Sequence, residues 1–211
     1  MPNWCNNYLE LEHEDPAMIE RAKKAFNDGR LLDEFVPVPK SLHIVAGCVG
    51  DPDEQKKLEE DTANNVKVHG YGNWYDYCVN EWGTKWDVGA DGYNAEDDGP
   101  NNTTMIFDSA WAPPTAAMEK FQDLGFKVTL YYYECGMCFA GIFDENGDDC
   151  YDFSEMSADE VEAEIPAELD IKFCIVETMR EYEAQDVDEV QEWYEDGVEK
   201  KGLEPHTKEQ Q

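Results

Sequence analysis

The chain has 211 residues, 41% hydrophobic and 12% aromatic, which is material for one cored domain with a small extension and excludes a disordered chain. Its 49 acidic residues against 16 basic ones give a formal net charge of −33. That surface repels nucleic-acid phosphates and anionic membranes, disfavours direct DNA or RNA binding, and attracts basic protein surfaces.

In chain order, Asn7 to Glu12 alternates polar and apolar positions through Leu9 and Leu11 and predicts a half-buried strand. Asp15-Pro16 starts a helix with apolar face Ile19, Ala22 and Phe26 and a stop at Gly29. Leu31 to Pro39 reads as an extended segment stiffened by proline. After a loop at Gly47 to Asp51, Pro52 to Ala63 reads as a polar helix. A further helix begins at Asn73, carries Trp74, Cys78 and Trp82 on one face and ends at Gly83. Gly89 to Asn102 is loop in composition, and Thr103 to Phe107 a short strand. Pro113 to Leu124 is a helix with Met118, Phe121 and Leu124 inward and Gly125 after its end. Lys127 to Tyr133, Met137 to Phe143 and Cys150 to Phe153 are strands, the last two joined by a turn at Asn146-Gly147. Ser157 and Glu160 mark a capping box, Asp170 to Val176 fits either a strand or a helix, and Asp186 caps a last helix.

This order predicts an α+β fold: a ferredoxin-like antiparallel sheet with helices on one face. Residues 1–155 form the core, with a Trp-rich insertion at about 40–102. An acidic helical extension packed on the core follows over 156–203, and a flexible tail over 204–211. Residues 144–211 hold 24 of the acidic and 5 of the basic side chains. Seven widely spaced cysteines, no apolar run of membrane-spanning length and an opening MPNWCNN without a leader pattern predict reduced thiols in a cytoplasm.

Several motifs resemble the YubB ferredoxin-like family of phage and mobile-element proteins. These are Met1 to Asn7 (MPNWCNN), Val36 to Pro39, Asn73 to Asp87 (NWYDYCVNEWGTKWD), Trp111 to Pro114, and Glu134 to Gly141 (ECGMCFAG). The resemblance implies the fold and a mobile-element origin, and it supplies no reaction.

Trp82, Lys85 and Trp86 form a candidate recognition surface, because tryptophan with a neighbouring cation is a common interface anchor. The commoner reading is that Gly83 turns the chain while both indoles cover the core. Cys135 and Cys138 have metal and redox spacing, but no second pair and no clustered histidines accompany them. Small buried thiols at a tight hairpin are the better reading. Asp144, Asn146, Asp148, Asp152 and Glu155 nearly follow calcium-loop spacing, yet Asp149 stands where that loop needs glycine. An acidic hairpin is favoured, and neither a metal nor a cofactor is assigned. No nucleophile elbow, HExxH or Walker motif is present, which weighs against an enzyme.

The carboxylates of the last third remain. Asp159, Glu160, Glu162 and Glu164, with Asp188, Glu189, Glu192, Glu195, Asp196 and Glu199, can line helices as rows of negative charge. The leading expectation is an acidic, non-enzymatic inhibitor of phage or mobile-element origin. It would bind a basic host protein, a nucleic-acid-binding defence enzyme, in the manner of a DNA mimic. A salt-adapted acidic housekeeping or structural protein and a calcium-dependent binding module are the competing classes.

Overall fold

The computed structural model describes residues 3–89, 95–96 and 98–185. The described part falls into two units, divided after Ser154.

The first unit is an α+β fold on a five-stranded antiparallel sheet. The strands are β1 (Trp4–Glu12), β2 (Asn102–Ala110), β3 (Lys127–Glu134), β4 (Phe139–Asp144) and β5 (Gly147–Asp152), in the order β2-β1-β3-β4-β5. The helices are α1 (Pro16–Asn27), α2 (Leu31–Phe35), α3 (Pro52–His69), α4 (Trp74–Glu81) and α5 (Thr115–Asp123). β2 and β3 flank β1 and are joined through α5, a split β-α-β unit of the kind ferredoxin-like sheets use.

Period-two alternation sets the sheet's inner face. Leu9 sits opposite Met105 on one side and Leu130 on the other, and Leu130 opposite Phe143. The next row runs Phe107, Asn7, Tyr132, Gly141. Gly141 is required there: a Cβ would stand 2.2 Å from the Tyr132 hydroxyl. Asn7 is the polar member of that row, and its Nδ2 donates to Cys5 O (2.7 Å) and Ser109 Oγ (2.8 Å). Helices close over this face, with Ile19, Ala22 and Phe26 of α1 and Met118 and Phe121 of α5 buried.

α1 starts as its sequence dictates, with the Asp15 side chain accepting from Ala17 N. α4 does likewise, with Asn73 accepting from Tyr75 N and Asp76 N. α3 runs past Ala63 to His69 and stops at Gly70, whose φ of 83° is left-handed. Leu124 is 45% exposed rather than inward, because α5 ends one residue before it.

The main departure is at Leu31–Phe35, which is helical and not extended. Its cap comes from far along the chain: Leu32 N and Asp33 N donate to the Asp87 carboxylate at 2.7 and 2.9 Å. Phe35 then packs on Phe121 and Phe126, with ring centroids 4.6 and 5.4 Å away. Pro37 and Pro39 lie beyond the helix end and do not oppose it.

In the second unit, α6 (Ala158–Glu164) opens on the Ser157/Glu160 capping box, both of its hydrogen bonds being present. α7 (Ala167–Phe173) ends at Cys174 in a left-handed conformation, and residues 175–185 are helical. The stretch Asp170 to Val176 is therefore two helix ends and a turn, closed by Val176 N donating to Asp170 Oδ1 at 2.8 Å. The helix expected from Asp186 lies outside the described residues. No helix among the described residues is long and apolar enough to cross a membrane.

Candidate functional site

Sequence pieces far apart in the chain meet at one end of the sheet. β1 begins there with Asn3 and Trp4, β2 ends there at Ala110 and Trp111, and the segment after α4 lies across it. Three contacts bind these pieces. Thr84 Oγ1 donates to Ala110 O (3.0 Å), Ala117 N donates to Trp82 O (3.2 Å), and Trp111 N donates to Asn3 O (3.0 Å). Gly83 is the close approach that makes this fit. Its φ is 86°, and a Cβ would stand 3.0 Å from Pro113 O.

The segment divides by depth. Trp82 is 4% exposed and donates from Nε1 to Val36 O at 2.8 Å, so it is a core residue and leaves the recognition surface predicted for it. Cys78, one helical turn earlier, is buried too, and burial pushes its thiol up to about 12. Lys85 and Trp86 stay at the surface and gain partners that no spacing argument supplies. Trp4, Trp86 and Trp111 are 45%, 40% and 43% exposed. Trp4 and Trp86 lie 6.0 Å apart between centroids, and Tyr75 and Trp111 6.4 Å. The Lys85 ammonium stands 4.5 Å from the centroid of Trp86, 5.0 Å from Trp111 and 5.8 Å from Tyr75. All three distances fall within cation–π range.

Trp111 reaches this position at φ 70°, left-handed for a bulky residue, a conformation that costs about 1–2 kcal/mol. A cleft of about 320 Å³ adjoins the cluster, lined by Trp74, Trp82, Lys85, Trp86, Asp33 and Asp87 among others. Burial raises the Asp87 carboxyl above its ordinary value, against the pull of the three backbone N–H groups it accepts from.

The remaining sequence candidates sit elsewhere in the fold. Cys135 and Cys138 do lie in the β3–β4 hairpin, but Cys135 is exposed and Cys138 half-buried, contrary to the buried thiols expected. The turn is organised by buried Glu134, whose carboxylate accepts from Gly136 N (3.0 Å) and Met137 N (2.5 Å). The stretch with calcium-loop spacing is the β4–β5 hairpin. Asp144 accepts from Asn146 N, Asp148 from the Tyr132 hydroxyl and Asp152 from Ser154 N, so these carboxylates are spread along an edge and used locally.

Of the acidic face, Asp159, Glu160, Glu162 and Glu164 are exposed on α6. Arg180 donates to Asp159 (2.8 Å) and Glu162 (2.6 Å), and Glu160 closes the capping box. Asp188, Glu189, Glu192, Glu195, Asp196 and Glu199 lie outside the described residues. The aromatic cluster was foreshadowed only by Lys85 and Trp86. Trp4 and Trp111 stand in two of the family-like motifs, but nothing local placed them together: Trp4 pairs with Ala110, and Trp111 N donates to Asn3 O, across more than a hundred positions.

Fold and cluster together define an α+β protein with an exposed aromatic end to its antiparallel sheet. No family model and no curated protein matches the chain. Among solved structures, the crystal structure of protein api92 from Yersinia pseudotuberculosis, carrying the family-model description DUF1281, is similar at a TM-score of 0.39. It is 12% identical, over 72% of this chain and 95% of that one.

Proposed function

We propose that the protein is a non-enzymatic binding protein that docks on a basic protein partner. The aromatic end of the sheet is the anchor of that contact and the chain's charge its steering field. The observation that carries the reading is the gathering of three half-exposed tryptophans from distant segments into one patch. Tryptophan is enriched among the few residues that dominate binding energy. A net charge of −33 speeds encounter with a cationic surface and keeps phosphates away.

The narrower form of the proposal names the partner as a host nucleic-acid-binding defence enzyme, engaged by a phage or mobile-element protein that imitates DNA. It draws support from the motif resemblance and from the carboxylates of the last third. Three of the four described α6 carboxylates are already engaged locally, which moves the weight of the contact to the aromatic end.

Affinity capture from host lysate, with and without competing duplex DNA, tests both forms. Basic nucleic-acid-binding proteins should be retained at low salt and released by salt and by DNA, with retention weakened by Trp86→Ala. A partner held with equal affinity at low and high salt would contradict the proposal.

A further inference from the structure

We propose that the aromatic cluster is a cation cage and that Lys85 is its exchangeable resident, displaced on docking by a lysine or arginine side chain of the partner. The inference rests on the reading above for its basic partner and adds the chemistry and regulation of that contact.

The cage already holds a cation. Three ring centroids surround the Lys85 Nζ at 4.5–5.8 Å, and two of the rings are indoles, whose faces attract cations best. The backbone that carries the rings is held independently of that ammonium. Asn73 caps the helix that carries Tyr75, Thr84 ties the Trp86 segment to Ala110 O, and the Trp111 backbone is tied to Asn3 O. The segments that bear the walls therefore do not depend on the ammonium for their place, whereas Lys85 stands on a flexible four-carbon stem that can swing out.

Complementarity selects the entrant. The cleft beside the cage mixes the Asp33 and Asp87 carboxylates with Arg30, His43 and three tryptophans, so selection for a cation comes from the indole faces and from the field of the whole chain. The whole chain repels anions and concentrates cations around itself. An internal lysine in the cage then acts as a weak competitor: it covers the indoles in the free protein and sets a threshold that only a well-placed partner cation passes.

The test uses the full chain with ¹⁵N-labelled indoles, titrated with the blocked tripeptide Gly-Lys-Gly, its arginine counterpart and a norleucine control. Trp86 and Trp111 signals should shift on titration while Trp82 stays still. Lys85→Gln should bind the cationic peptides about fivefold tighter than the parent chain, the scale of one exposed cation–π contact. Trp86→Leu, which keeps apolar bulk and removes the indole face, should lose that gain. Equal or weaker binding by Lys85→Gln would overturn the exchange, as would equal binding of the norleucine peptide or the absence of saturable binding to Lys85→Gln. If basic-protein binding survives in Trp86→Leu while peptide exchange fails, the cage falls and the broader reading stands. If peptide exchange succeeds while no salt-sensitive basic partner is found, the broader reading falls and the cage stands.

Discussion

Replacing Asp87 by alanine removes the acceptor that three backbone N–H groups share: Leu32 N at 2.7 Å, Asp33 N at 2.9 Å and Val88 N at 2.8 Å. Two of them open α2, so the change deletes a helix cap, worth up to about 2 kcal/mol. It also strands part-buried donors, at about 1–3 kcal/mol for each that water cannot reach. Allowing for local relaxation, we expect Asp87→Ala to lose about 3 kcal/mol. Asp87→Asn, which keeps one oxygen, should lose roughly half of that. α2 also carries Phe35 against Phe121 and Phe126, so the loss should spread into the core and not stay in a loop. Urea unfolding at neutral pH, followed by far-UV circular dichroism, reads the difference. A loss below about 1 kcal/mol for Asp87→Ala would refute the idea that this remote carboxylate holds α2 in helical form.

The same group sets a pH dependence. Because burial raises the folded carboxyl above 3.8, the folded chain binds a proton more tightly than the unfolded one between that value and the raised one. Asp87's contribution to stability therefore falls as pH rises through the window and is flat above it, and Asp87→Asn should remove that slope from urea midpoints. Tyr132→Phe deletes the 2.6 Å hydrogen bond from a buried hydroxyl to Asp148 Oδ1 and should cost about 1–2 kcal/mol, with faster amide exchange in β5. Gly141→Ala forces a methyl group into the Tyr132 ring, 2.3 Å from its Cζ, and against Asp149 O at 2.7 Å; we expect about 3 kcal/mol or more of lost stability in the same urea assay. Gly89→Ala, at φ 110° with a Cβ 2.1 Å from Phe26 O, should be at least as damaging and should lower the yield of folded protein.

The fold was legible wherever a rule acts over a few residues. The Asp15 and Asn73 caps, the Ser157/Glu160 box, the Asn146-Gly147 turn and the alternation of Leu9 and Leu11 all lie in the structure as local chemistry requires. α2 was not legible, because its cap stands 54 and 55 positions away and the nearby prolines argue the other way. Leu124 misled because a helical period continues past the point where a chain leaves its helix. Of the three residues put forward as a surface group, the structure leaves two exposed to solvent in whole or part. Lys85 and Trp86 are where a surface pair would be, while Trp82 is claimed by the core through Val36 O. Trp4 and Trp111 belong to the cluster only because β1 and β2 pair antiparallel, with Trp4 opposite Ala110, a long-range fact that no window of sequence contains.

Among the described residues β5 is one of the sheet's two outer strands, and five of its six residues face solvent, three of them aspartates. An unpaired strand edge invites a second chain to add to it, and charge along the edge is one way proteins prevent this. Here a neighbouring copy in the same register would bring Asp148, Asp149 and Asp152 against their own counterparts, so the molecule guards itself against filament growth by self-repulsion. Replacing Asp148, Asp149 and Asp152 together by asparagine would withdraw that guard, and edge-to-edge assembly of this chain should then begin.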